Sequence, residues 1–465
     1  MRRGLCIGGP LLIALAVSAP PAAPQSGSRP PPQAPPGDRL HQPLLDLMSS
    51  NPEVRLGAAE KLEQAGAPGA IPTLIEMLRF RVPDRAIAIE TLQALSGHSY
   101  GADWEAWISW LGRTPLEPHP GYVAIKSWLL GFIDPRFADF LYPGVPHAIR
   151  LEEVVWGGVK VEGIPALDRP PMTGAEEALY LTAREQVFGL FLGGEARAYP
   201  YRVIDWHELF NDVVGGLPVA AVYCTLCGAA VAFDPRVGER TYTFATSGLL
   251  YRSNKLMFDR ETKSLWSALE GRPVVGPLVG SGAQLQVLPA TTTTWGRWKR
   301  EHPDTLVLSL RTGHQRDYRP GAAYGKYQSS PNPMFPVPLI DPALPAKERI
   351  FALRLGSAVR AYPVFELERL GVVADRLGAV EVVLIAPGEG EEVRAYRGAA
   401  PGLAFDEQRK QLRDREGRLF QVTDAELIAE GGGVSLPRLP GHLAYWFGWK
   451  AQYPEAELWR AAGAR

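Results

Sequence analysis

The sequence predicts an α+β protein: two pseudo-repeated β-rich halves with short helices, preceded by a small α-helical region. Three observations carry this expectation. A phrase at residues 187–200, VFGLFLGGEARAYP, recurs at 350–363 as IFALRLGSAVRAYP. The segment ends recur as well, since Trp295-Gly296-Arg297-Trp298-Lys299 is echoed by Trp446-Phe447-Gly448-Trp449-Lys450. Finally, 48 glycines and 43 prolines in 465 residues call for many turns, while helical spacing is concentrated before residue 113.

Taken in order, the chain opens with Met1-Arg2-Arg3, an apolar run at 11–17 and Ala-x-Ala-like sites near Ala19 and Ala23. Residues 1–23 therefore read as a secretory signal peptide. Residues 24–40 are Pro-rich and read as a disordered linker. Residues 41–113 read as helices: Asn51 can cap, Pro52 suits a first turn, and helices are expected over 70–78, 84–95 and around Trp104, Trp107, Ile108 and Leu111. The stretch 51–79 resembles a HEAT repeat, either a cap on the main body or a surface for a protein partner.

From residue 151 the pattern changes to short apolar pieces separated by glycines. Each copy of the repeated phrase reads as a hairpin with Gly at its turn, running into a helix. Those helices are expected over 201–213 and 364–370. Strands are expected at 219–223 and 380–385. The first α+β half thus spans 150–320 and the second, a degenerate repeat, 345–465.

Composition narrows function. Apolar content of 46% and a formal net charge of −1 without a basic block fit a globular protein and argue against nucleic-acid binding. No transmembrane segment is expected once the signal is removed. There is no nucleophile elbow, Walker loop or dinucleotide fingerprint. Of three cysteines, Cys6 lies in the signal, so the mature chain keeps Cys224 and Cys227. They sit in Cys224-Thr225-Leu226-Cys227-Gly228, a turn between the apolar runs 218–222 and 229–233. Gly228 allows a positive φ, and backbone N–H groups can then point at sulfur.

This turn has three readings. It is a metal site, a redox dithiol, or a structural disulfide whose small loop contributes only about 2 kcal/mol. A zinc ribbon needs a second cysteine pair, so a metal must recruit another donor. His207, on the expected helix, is the candidate; two thiolates and one imidazole suit copper or zinc. Met257, His302 or His314 are candidates for a fourth ligand. Asp205 and Glu208 flank His207 and are expected to orient it. The second half is chemically blank where the first has these residues, with 385–388 facing the cysteine turn and 365–367 facing residues 206–208.

Several strings together resemble a bacterial family known as domain of unknown function 3179: GEARAYPYRVIDWHELFNDVVGG, YCTLCGAAVAFD, SGLLYRSNKLMFDRETKSLWS, TTWGRWKREHPDTLVLS and LPGHLAYWFGWKAQYP. The resemblance runs from about residue 149 to the C-terminus. It implies an exported bacterial protein and marks the His207, Cys224 and Cys227 positions as the family hallmark. It implies no reaction. Where the family usually has Pro after the first cysteine, this chain has Thr225. The leading expectation is an exported protein that binds copper or zinc through Cys224, Cys227 and His207, for metal handling or metal-dependent redox chemistry. A metal-free thiol–disulfide oxidoreductase and a non-catalytic binding or scaffold module are the alternatives.

Overall fold

The structure, a computed structural model, describes residues 29–80, 82–388, 392–406 and 411–461. The signal peptide at 1–23, Cys6 and the first residues of the linker lie outside the described residues. Helices and strands coexist in separate layers, the α+β class that the patterning predicts.

The N-terminal part is helical. Asn51 caps the helix Pro52–Ala65 by accepting the Glu53 N–H, Pro52 fills the first turn, and Gly66 ends it in the left-handed region. The helices Ile71–Met77, Arg85–Ser96, Trp104–Leu111 and Tyr122–Leu130 follow. They bury Leu74, Leu92, Trp107 and Ile125 in a core continuous with the main body. Among the described residues, no helix is long and apolar enough to cross a membrane.

The repeated phrases form matching hairpins. Gln186–Leu192 pairs with Glu195–Pro200, and Arg349–Leu355 with Ala358–Pro363, in the same register. On the outer side of each first strand lies an antiparallel partner, Thr291–Thr294 or Gly441–Tyr445. Beside each second strand runs a short parallel one, Leu306–Leu308 or Glu457–Leu458. The two copies even share a polar lock. Tyr199 donates to Asp212 at 2.6 Å, with Arg197 on the same carboxylate at 2.7 Å. In the second copy Tyr362 donates to Asp375 at 2.8 Å and Arg360 joins it at 2.6 Å. A hydroxyl and a guanidinium on one carboxylate, buried at Asp212 and half-buried at Asp375, offset the cost of removing it from water.

The helix expected over 201–213 is much shorter. Only Tyr201–Ile204 is helical, and residues from Leu209 on form the strand Leu209–Val214, paired with Leu217–Cys224. Apolar residues at 203, 206, 210 and 213 imitate a helical stripe. The ladder with Leu217–Cys224 outweighs that local preference. The break falls at Glu208, whose φ is +55°, a conformation costly for a side-chain-bearing residue. Its N–H bonds to Ile204 O at 2.7 Å, and its carbonyl accepts Tyr223 N–H at 2.8 Å. The second copy makes the same two bonds with a glycine: Gly371 N–H to Leu367 O at 2.8 Å, and Ala386 N–H to Gly371 O at 2.9 Å. Gly371 has φ +71°. The residues matching 206–208 are therefore Arg369, Leu370 and Gly371, not 365–367, and Cys224 falls opposite Pro387.

Residues 244–259 form a hairpin. Phe244–Tyr251 turns at Arg252 and Ser253, both with positive φ, into Asn254–Asp259. This places Lys255 beside the cysteine turn. The second half packs directly on that turn. Tyr445 N–H donates to Cys227 O at 2.7 Å, Arg349 to Gly228 O at 2.8 Å, and Asn254 to Gly448 O at 3.0 Å. A Cβ on Gly448 would stand 2.5 Å from that of Cys227, so only glycine allows this approach.

Candidate functional site

Cys224 ends its strand, and Cys227 closes the turn before Ala229–Asp234, with Gly228 at φ +62°. Both are free thiols and both are buried. The Cys227 sulfur lies 3.7 Å from Cys224 O. Their environments are unlike. Burial pushes the Cys224 thiol up, but the Cys227 thiol and the N–H groups of Cys227, Lys255 and Leu226 hydrogen-bond to its sulfur and carry it below its ordinary value. Cys227 is driven well up, by burial first and then by the hydrogen bond and charge of Cys224. One sulfur is thus prepared to hold negative charge and its neighbour to keep a proton.

Cys224 lines a small cavity of about 30 Å³, together with Glu208, Thr225, Ser247, Lys255, Tyr324 and Phe335. The strained residue supplies the pocket's carboxylate. Glu208 Oε1 accepts from Tyr324 at 2.5 Å and from Thr225 at 3.1 Å, and Oε2 contacts the Lys255 amine. Burial pulls Lys255 well below its ordinary value, so the amine beside the Glu208 carboxylate is easily neutralised. Tyr324 and Tyr327 come from the segment joining the halves; Tyr327 donates to Leu226 O at 2.5 Å.

His207 is fully buried, but its ring is held elsewhere. Nδ1 lies 2.9 Å from Pro165 O and Nε2 2.7 Å from the Tyr318 hydroxyl. Burial pulls it down to about 4, against the pull of the Pro165 carbonyl, with His314 and Arg316 lowering it further. The ring is therefore neutral at neutral pH. Among the described residues, the sets of three His, Cys, Asp or Glu donors within 4.8 Å of one another do not include Cys224, Cys227 or His207. The structure brings the two sulfurs together and sets the imidazole against Pro165 and Tyr318.

The other expected ligands are dispersed. Met257 is core in Asn254–Asp259. His302 Nε2 is hydrogen-bonded to Asp424 at 2.8 Å, and its ring stacks on Phe191. His314 is exposed, 5.2 Å ring to ring from His207. Asp205 and Glu208 do not orient His207. Asp205 is held by Gln328 at 3.3 Å, and burial raises it to about 7.

Sequence reasoning missed Lys255 and Tyr324 as neighbours of Cys224, and assigned Glu208 to the wrong partner. Two signals were available. Lys255 is a cation immediately before the apolar run Leu256-Met257-Phe258, and the repeat aligns Glu208 with a glycine.

No curated protein and no solved structure matches this chain. The family model described as "Protein of unknown function (DUF3179)" matches residues 161–456, which hold most of both halves and include Glu208, Cys224, Cys227, Lys255 and Tyr324. The chain belongs to the DUF3179 family.

Proposed function

We propose that this protein is an exported thiol–disulfide oxidoreductase acting on a small disulfide, with Cys224 as attacking thiolate and Cys227 as resolving thiol. The observation that supports it most is the asymmetry of the pair: a depressed thiol lining a pocket beside a raised one. Cys224 thiolate attacks one sulfur of a small organic disulfide, the S–S bond breaks, and one organic thiolate leaves. Cys227 then loses its proton to the Glu208–Lys255 pair or water and attacks the Cys224 sulfur. The second organic thiolate leaves, the protein is oxidised to a Cys224–Cys227 disulfide, and the substrate is reduced by two electrons. Both sulfurs are buried, which favours a low-molecular-weight disulfide over a folded protein as the partner that reaches them.

Reaction with a thiol-specific alkylating agent across pH tests the assignment. Cys224 alkylates at a pH at which an ordinary thiol is unreactive, and a Cys227→Ser variant accumulates a mixed disulfide at Cys224. A Cys224 that alkylates only in step with an ordinary thiol, or a Cys227→Ser variant that traps nothing, refutes the proposal.

Copper or zinc held by Cys224, Cys227 and His207 is the second reading, favoured by two adjacent buried thiols. It requires the imidazole to leave Pro165 and Tyr318. Stoichiometric metal that disappears in both Cys224→Ser and His207→Ala would establish it in place of the first. The export signal at 1–23 and partner docking on residues 41–113 belong to the same proposal, tested by N-terminal sequencing of the exported protein and by pull-down with that region deleted.

A further inference from the structure

A second cluster of ligating side chains lies outside the family match, where the start of the helical region is fastened to its last helix. Asp38 and His41 open the helix His41–Asp46, and His119 precedes Tyr122–Leu130. One donor atom from each of the three lies within 4.8 Å of the others. His41 is fully buried, and the side chains of Asp38 and His119 are 1% exposed.

The proton positions follow from the partners. His41 Nε2 is 3.0 Å from Pro32 O, and a carbonyl can only accept, so Nε2 carries the hydrogen. In the neutral ring Nδ1 is then a lone pair. It is buried, and it has no hydrogen-bond partner among the described residues. His119 Nδ1 is 2.7 Å from Asp38 Oδ2, so it carries a hydrogen toward the carboxylate, and Nε2 accepts from the Thr73 hydroxyl at 2.9 Å. The outer nitrogen of His41 donates to a carbonyl, as the distal nitrogen of a metal-bound imidazole does, and that of His119 faces a hydroxyl that can turn to accept from it. Asp38 is itself fixed by the N–H groups of Leu40, His41 and Gly121. The space in front is kept clear by Gly121, where a Cβ would stand 2.1 Å from His41 Nδ1 and 2.7 Å from Asp38 Oδ2.

We propose that Asp38, His41 and His119 bind one divalent transition-metal ion, with zinc the ion best matched to two imidazoles and one carboxylate. Binding uses the unpartnered His41 Nδ1 and His119 Nδ1, whose proton moves to Nε2 as the Thr73 hydroxyl turns to accept from it, so one zinc enters two neutral imidazoles and one carboxylate without net proton release. Water completes the coordination. The donors are buried and come from distant parts of the chain, so the ion acts as a structural clip holding the segment before His41–Asp46 against Tyr122–Leu130. It is independent of the cysteine pair and carries no sulfur ligand.

The test uses the full chain, stripped with chelator and titrated with zinc, and then with cobalt as a spectroscopic probe. The expected result is about one zinc per chain. The thermal midpoint rises with the logarithm of zinc concentration. The cobalt spectrum shows ligand-field bands without a sulfur charge-transfer band. Zinc is retained in a Cys224→Ser/Cys227→Ser variant and lost in His41→Gln. No zinc-dependent shift in the wild-type chain overturns the proposal. A sulfur charge-transfer band, or metal lost with the cysteines, overturns it equally. Because the wild-type titration decides, a His41→Gln variant that fails to fold leaves the proposal open to refutation.

Discussion

Replacing Glu208 by glycine and by alanine separates what its backbone costs from what its carboxylate contributes. Both variants remove the Tyr324 and Thr225 hydrogen bonds and the ion pair with Lys255. Hydrogen bonds to a charged group contribute about 1.5–3 kcal/mol each. Lys255 can shed its proton once alone, which limits the further loss. Both variants should therefore be less stable than the wild type by about 3–5 kcal/mol. They differ at the backbone. At φ +55° a Cβ costs roughly 1–2 kcal/mol. Alanine normally has the advantage of a less flexible unfolded chain, by roughly 0.5–1 kcal/mol. The difference leaves glycine ahead by about 1 kcal/mol, the reverse of the usual order. Gly371→Ala, in the second copy, should cost about 1 kcal/mol through backbone strain alone; its Cβ would meet Phe405 at an ordinary 3.6 Å. Urea denaturation of the three variants gives the values. If Glu208→Ala matches or exceeds Glu208→Gly in stability, or Gly371→Ala is neutral, the strain argument is wrong.

Three further outcomes are expected. Asp205 has a folded pKa near 7, raised by burial above its ordinary 3.8. Its stabilisation is complete below pH 4 and is lost as pH rises through 7, by about 3–4 kcal/mol; a urea midpoint that does not flatten over that window in Asp205→Asn contradicts this. His442 is pulled down to about 4 by burial and by Arg354, from an ordinary 6.5, so its stability is present above pH 6.5 and lost as pH falls through 4, by about 2–3 kcal/mol. His442→Thr, which installs the residue used at the matching Thr291, should remove that acid loss, as melting curves at pH 4 and 7 would reveal. Trp298 donates its indole N–H to Thr305 at 2.9 Å, whereas the matching Trp449 N–H finds no acceptor among the described residues, since Ala456 stands where Thr305 would. Ala456→Thr should therefore stabilise the chain by about 1 kcal/mol, and a lower melting midpoint would show that the new hydroxyl does not fit.

The duplication was legible because its two phrases keep the same spacing of apolar residues, turn glycines and terminal proline. It survives in the structure down to the Tyr199–Asp212–Arg197 and Tyr362–Asp375–Arg360 locks. The cysteine turn was legible because a dithiol between two apolar runs has few local alternatives. The environment of the turn was not. Lys255 arrives from a different sheet, and Tyr324 from the segment between the halves, and no local periodicity encodes either approach. His207 misled for a related reason. Its nearness to the thiols in sequence suggested nearness in space, but the helix expected over 201–213 ends at Ile204. The turn that follows aims the ring at Pro165 and Tyr318.

The repeat itself contained the correction. The offset that superposes Val187 on Ile350 also superposes Glu208 on Gly371, and a glycine just after a short helix is the ordinary sign of a left-handed backbone residue. Both halves need that conformation to turn a helix into a strand. One meets the need with the residue that adopts it freely. The other uses a glutamate and accepts the strain, and that carboxylate lies beside Lys255 in the pocket of Cys224. Strain retained in one copy and relieved in its twin is a physical mark of use, because folding alone would be served better by glycine. By that argument the proposed chemistry is best sought at Glu208, Lys255 and Cys224, in the half where the shared frame carries its unshared residues.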